Sequence, residues 1–131
     1  MRIAGPGNIA CNQVPCHLLE RAIEHRVLPC CRRHGVALVA CSPFGSGEFP
    51  TPRSRGGKVL RDIAQRHGVS PYQRAPPFFA REDVFAIPKA AQVARALDNA
   101  AAAEIILSDE DVAAIDAAFP PGPERPGILV L

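Results

Sequence analysis

Apolar residues come in short runs, separated by longer stretches in which they recur at helical spacing. Residues 9–14 predict a short buried strand. A helix is predicted over residues 23–33, with Ile23, Val27 and Cys31 one turn apart on one face. Pro29 lies inside that stretch, so the helix either starts late or kinks there. Arg32, Arg33 and His34 suit the negative end of a helix, and Gly35 is a natural stop. Residues 36–41 (VALVAC) are apolar without alternation, the pattern of a parallel strand covered on both faces. A loop rich in Ser, Pro and Gly occupies residues 42–57. A helix follows over 58–67, with Val59, Leu60 and Ile63 inward and Gly68 ending it. Ser70-Pro71-Tyr72-Gln73 reads as a helix start: a Ser cap, Pro in the first turn and Gln at the capping-box position. Pro76-Pro77 then cut that helix, because they remove two amide donors and clash with the preceding turn. Residues 84–87 predict a third strand and residues 92–100 a helix. A final helix opens at Ser108, where Asp109, Glu110 and Asp111 favour its positive end. Val112, Ile115 and Phe119 form its apolar stripe, and the proline-rich residues 120–131 make an extended tail.

Strands alternating with helices imply parallel βα units and an α/β class. A closed eight-stranded barrel needs about 250 residues. At 131 residues the chain is expected to be a single incomplete domain, the last three units of a (β/α)8 barrel plus a C-terminal helix. Such an opened barrel leaves its first strand without a neighbour, an apolar edge through which copies can self-associate. Ligands of these barrels sit at the C-terminal ends of the strands. The positions to inspect are therefore Asn12-Gln13, Cys41-Ser42 and Pro88-Lys89.

Charge narrows the partners. Fifteen Lys and Arg against thirteen Asp and Glu give a net charge of +2, which argues against a dedicated nucleic-acid binder. The basic cluster Arg53, Arg55, Lys58 and Arg61 lies in the polar loop and its border, where a solvated surface is the simplest reading. No apolar run approaches the roughly 20 residues that span a bilayer, and the N-terminus lacks the pattern of a signal peptide. A cytoplasmic location without membrane contact is expected. Five cysteines at irregular spacing are not a secreted disulfide framework. Cys16-His17 with Cys30 and Cys31 is a poor zinc pattern, since neighbouring helical residues diverge by about 100°. No metal is expected.

One constellation carries chemistry. Lys89 follows the third strand, and Arg95 and Asn99 lie one turn apart on the helix beyond. Cations near free helix amides suit a phosphate and an attached base. The same residues also describe an ordinary solvated helix face. Ile87-Pro88-Lys89, with Arg six and Asn ten residues after the lysine, is similar to the adenosine 2′-phosphate clamp of aldo/keto reductases. Asn12-Gln13-Val14 with His17 resembles their N-Q-x-x-x-H strand end. Ser42-Pro43-Phe44-Gly45-Ser46 resembles their pyrophosphate loop, and Leu107-Ser108-Asp109-Glu110-Asp111 the start of their closing helix. The order and spacing agree over about residues 5–120.

The resemblance implies NADPH as cofactor. Gln13 would then hold the nicotinamide carboxamide, with Cys41 beneath the ring. Ser42, Phe44 and Ser46 would line the pyrophosphate. Lys89 and Arg95 would hold the 2′-phosphate, and Asp98 and Asn99 the adenine. Glu48 falls where an acidic residue can latch the loop onto Lys89, although a solvated charge explains it as well. The family's catalytic Asp, Tyr, Lys and His belong to the first half of its barrel, so the resemblance assigns no catalytic residue here. His17 is expected to be structural. Several positions depart from the family. Cys41 stands where Tyr is common, Cys16 and Cys30 where aromatics are common, and Ala90 where Ser or Thr is usual. Two functions compete. One is a carbonyl-reducing oxidoreductase piece, acting on a small carbonyl substrate only with an N-terminal half. The other is a non-catalytic remnant or weak NADPH-binding module.

Overall fold

A computed structural model describes residues 5, 7–74, 78, 84–124 and 126–127. Three strands, β1 (Cys11–Pro15), β2 (Ala37–Cys41) and β3 (Val84–Ala86), form one sheet in the order β1-β2-β3. Both pairings are parallel, with Gln13 opposite Val39, Pro15 opposite Cys41 and Val39 opposite Phe85. Between them run α1 (Ile23–Arg33) and α2 (Arg55–Arg66). After β3 come α3 (Val93–Ala102) and α4 (Asp109–Ala118). The expected α/β class with parallel βα units is what forms. The expected break at Pro76-Pro77 lies outside the described residues.

The core lies on one side of the sheet. Val14, Leu38, Ala40 and Val84 are buried there with Ile23, Leu28 and Cys31 of α1 and Leu60 and Ile63 of α2. The other side is bare among the described residues: Gln13 is exposed, Val39 and Cys41 are half-exposed, and Phe85 keeps 64% of its surface in water. Among the described residues, then, only one face of residues 37–41 is covered, and burial alternates along β2. Apolar Ala37 and Val39 on the open face hide that alternation from the sequence.

Pro29 neither delays nor visibly breaks α1, which runs continuously from Ile23 to Arg33. The proline faces solvent, and the burial of Ile23, Leu28 and Cys31 offsets the missing amide bond. α2 starts three residues earlier than its apolar pattern suggests. Ser54 caps it by accepting from the Gly57 amide at 3.0 Å. The residues after Ser70 form only a short 3-10 turn, Pro71–Arg74, before the described stretch ends.

α4 shows what the apolar pattern missed. Ile115 and Phe119 are buried as expected, but the position one turn earlier is Asp111, 2% exposed, while Val112 is half-buried. Asp111 closes the capping box with Ser108 and accepts from Arg66 and from His67 Nε2, the latter at 2.7 Å. The buried Arg21 guanidinium ties α1 to α4. It pairs with Glu24 at 2.6 Å and Asp116 at 2.8 Å, donates to the Phe119 carbonyl and lies over the Phe78 ring. A buried charge without such partners would cost several kcal/mol, so the network is what permits the burial.

Asp111 gives the fold an acid limb. Burial alone would raise its pKa, but the hydrogen bonds from Arg66 and His67 outweigh it and hold the carboxyl below its ordinary 3.8. A depressed folded-state value adds stability that is present above pH 3.8 and is lost as pH falls through the folded value. Urea unfolding followed by circular dichroism from pH 6 downward is expected to show this loss. Asp111→Asn should lower stability near neutrality and flatten that part of the acid limb.

Candidate functional site

β2 delivers the chain into a tight turn at its C-terminal end. Ser42 and Ser46 adopt left-handed backbone angles (φ 53° and 52°), as do Gly45 (φ 73°) and, more extended, Gly47 (φ 106°). For a serine such a conformation costs of order 1–3 kcal/mol and persists only where surrounding contacts impose it. Here the Ser46 hydroxyl donates to Ser42 Oγ at 3.0 Å. The Gly45 amide donates to the Ser42 carbonyl at 2.8 Å, and the Glu48 amide to the Gly45 carbonyl at 3.0 Å. Turns of this kind gather backbone N–H groups into concavities that suit an anion.

His17 braces the turn. A Cβ at Gly45 would lie 3.2 Å from its Nδ1, so a side chain there would push the ring back by a few tenths of an ångström. Burial lowers the pKa of His17 against the opposing pull of Glu20 and Glu48, so its imidazole is neutral near pH 7. The thiol of the neighbouring Cys16 is pushed up to about 12, chiefly by burial, and it stays protonated.

Beside the turn lies a cavity of about 450 Å³. Phe44, Gly47 and Phe49 line it from the loop, Tyr72 from the 3-10 turn and Ser70 from just before it. Lys89 comes from the segment after β3, and Arg95, Asp98 and Asn99 from α3. Arg95 and Asn99 share a helix face as their spacing predicted. Three aromatic rings form a cluster at this wall. Phe49 and Tyr72 stack with centroids 4.4 Å apart, and Phe44 meets both edge-on at 6.1 and 5.9 Å.

The nine residues singled out in the sequence thus fall into two groups joined by the turn. Phe44, Lys89, Arg95, Asp98 and Asn99 surround the cavity. Gln13 and Cys41 lie apart on the bare sheet face, Gln13 opposite Val39 and Cys41 two residues further along β2. Ser42 and Ser46 are the strained positions between. Glu48 is exposed, and among the described residues no ion pair joins it to Lys89. Phe49, Tyr72 and Ser70 were missed. The one available signal was Tyr72 itself, the chain's single tyrosine, set in a polar turn where no core demands a ring.

The sequence model of the Aldo/keto reductase family matches residues 2–119. The chain belongs to this family. Methylglyoxal reductase YeaE of Escherichia coli (strain K12) is 35% identical over 124 residues, covering 91% of this chain and 42% of that protein. The 9,11-endoperoxide prostaglandin H2 reductase of Trypanosoma cruzi (strain CL Brener) is 32% identical over 105 residues, covering 80% and 36%. An aldo/keto reductase from Klebsiella pneumoniae, solved in complex with NADP and acetate, superposes with a TM-score of 0.80 at 33% identity, covering 93% of this chain and 43% of that one. The chain therefore spans about two fifths of the length of these aldo/keto reductases. No helix among the described residues is long and apolar enough to cross a membrane.

Proposed function

We propose that these residues form the dinucleotide-gripping part of an NADP(H)-dependent carbonyl oxidoreductase, namely the last three βα units and closing helix of a (β/α)8 barrel. The observation that carries this is the cavity itself. It brings Lys89 and Arg95 from two separate segments together with Asn99 and an aromatic wall, next to a turn shaped for an anion. Its volume of about 450 Å³ lies within the range of roughly 300–1,000 Å³ usual for small-molecule sites.

The donor set fits the adenosine half of the cofactor. Lys89 and Arg95 supply charge for a 2′-phosphate, and the Ser42–Ser46 turn supplies amides for a pyrophosphate. Asn99 and Asp98 offer an amide and a carboxylate to the edge of an adenine. Gln13 and Cys41 lie on the sheet face that would be the barrel's inner wall, where the nicotinamide would rest. When bound, the cofactor supplies the hydride for a small carbonyl substrate. The proton donor for the developing alkoxide would come from outside these residues. A second reading, a nucleotide-holding module without catalysis, draws on Cys41, because a thiol offers the nicotinamide no ring face. Titration of NADPH and NADH onto the chain by calorimetry tests the grip: tighter binding of NADPH is expected. Equal affinities would refute the assignment of the clamp.

A further inference from the structure

The aromatic wall of the cavity has a feature that packing alone does not explain. Tyr72 is stacked on Phe49 yet leaves 57% of its surface in water. Phe49 is half-buried, and Phe44 abuts both rings by its edge, which fixes the pair's orientation. The stack is thus ordered from one side, with Phe49 as backing and Tyr72 outermost. The clamp cations and Asn99 line the same cavity. A flat exposed ring in one cavity with cations suited to phosphate is the arrangement by which proteins hold a nucleobase, since every base has a π-face to stack.

We propose that Tyr72 is the stacking platform for the cofactor's adenine, with Phe49 backing it, and so is a binding residue beyond the polar clamp. This rests on the dinucleotide reading above. The base would lie on the outer face of Tyr72, with its edge toward Asp98 and Asn99 and its 2′-phosphate toward Lys89 and Arg95. The tyrosine hydroxyl has no part in the contact, so phenylalanine should serve equally.

The chain has no tryptophan and one tyrosine, so its tyrosine fluorescence comes from this site alone. Adenosine 2′,5′-bisphosphate should quench that emission saturably, whereas inorganic pyrophosphate, which has no base, should not. By calorimetry, Tyr72→Ala should weaken the bisphosphate by about 5- to 150-fold, the span found for single base–aromatic stacks. Tyr72→Leu, which keeps apolar cover on Phe49, should weaken it by a similar factor, and Tyr72→Phe by less than about 2-fold. Urea melts of each variant check that the fold is kept. Unchanged affinity in Tyr72→Ala and Tyr72→Leu, or damage from Tyr72→Phe equal to theirs, would overturn the platform. If Lys89→Ala still weakens the bisphosphate in that case, only the stack fails and the clamp stands. If the unaltered chain binds neither NADPH nor the bisphosphate, both fail.

Discussion

Replacing Lys89 and Arg95 together by alanine is expected to leave NADPH and NADH binding with the same weak affinity. The two cofactors differ by one phosphate, so only groups that touch it can tell them apart. Hydrogen bonds to charged groups are worth about 1.5–3 kcal/mol each. Both cations are exposed, which favours the lower end, about tenfold apiece. The unaltered chain should then prefer NADPH by about 10- to 100-fold at low ionic strength, and less at high salt as the charges are screened. Each single variant should lose part of that preference. Their effects should not simply add, because both residues address the same phosphate. Calorimetry with both cofactors at two salt concentrations reads all of this. A preference that survives the double variant would mean that some other group reads the phosphate.

The fold itself should fail on a smaller change. Gly57→Ala is expected to abolish cooperative unfolding at room temperature or to cost at least about 3 kcal/mol, the upper end for overpacking. A Cβ at Gly57 would sit 1.8 Å from the Thr51 carbonyl oxygen, a backbone atom that cannot swing aside. The turn over residues 51–54 would have to move, and with it the Ser54 cap that starts α2. α2 carries Leu60, Ile63 and Ala64 into the core, so the loss would spread. Gly68→Ala is the control. Its φ of +67° makes any side chain strained, but a Cβ there meets nothing within 4 Å. That variant should cost only about 1–2 kcal/mol. Urea denaturation followed by circular dichroism separates the two, and a loss at Gly57 no larger than at Gly68 would show that the turn over residues 51–54 yields and no collision limits Gly57.

Much of the molecule was legible in the chain because local rules and global packing agree there. The α1 bounds follow from apolar residues one turn apart, and Ser108 with the acids after it announces α4 through capping. Lys89, Arg95 and Asn99 were recognisable because their spacing on one strand end and one helix face is a property of sequence. Family membership followed from several motifs kept in order.

The rest depended on distant segments meeting. Gly56 and Gly57 read as loop residues, since glycine weakens helices. They belong to α2, and glycine suits both positions because a Cβ at Gly57 would strike Thr51 and one at Gly56 would lie 2.3 Å from the Phe119 ring. Asp111 reads as a first-turn charge favouring the helix dipole. Only the arrival of Arg66 and His67, more than forty residues earlier in the chain, makes its burial tolerable. Phe49 and Tyr72, separated by the whole of α2, give no joint signal until the fold stacks them. Spacing along a chain fixes what one helix or strand can present. Which charges are neutralised, which glycines are compulsory and which rings share a wall is decided by contacts between segments, and these exist only in the tertiary structure.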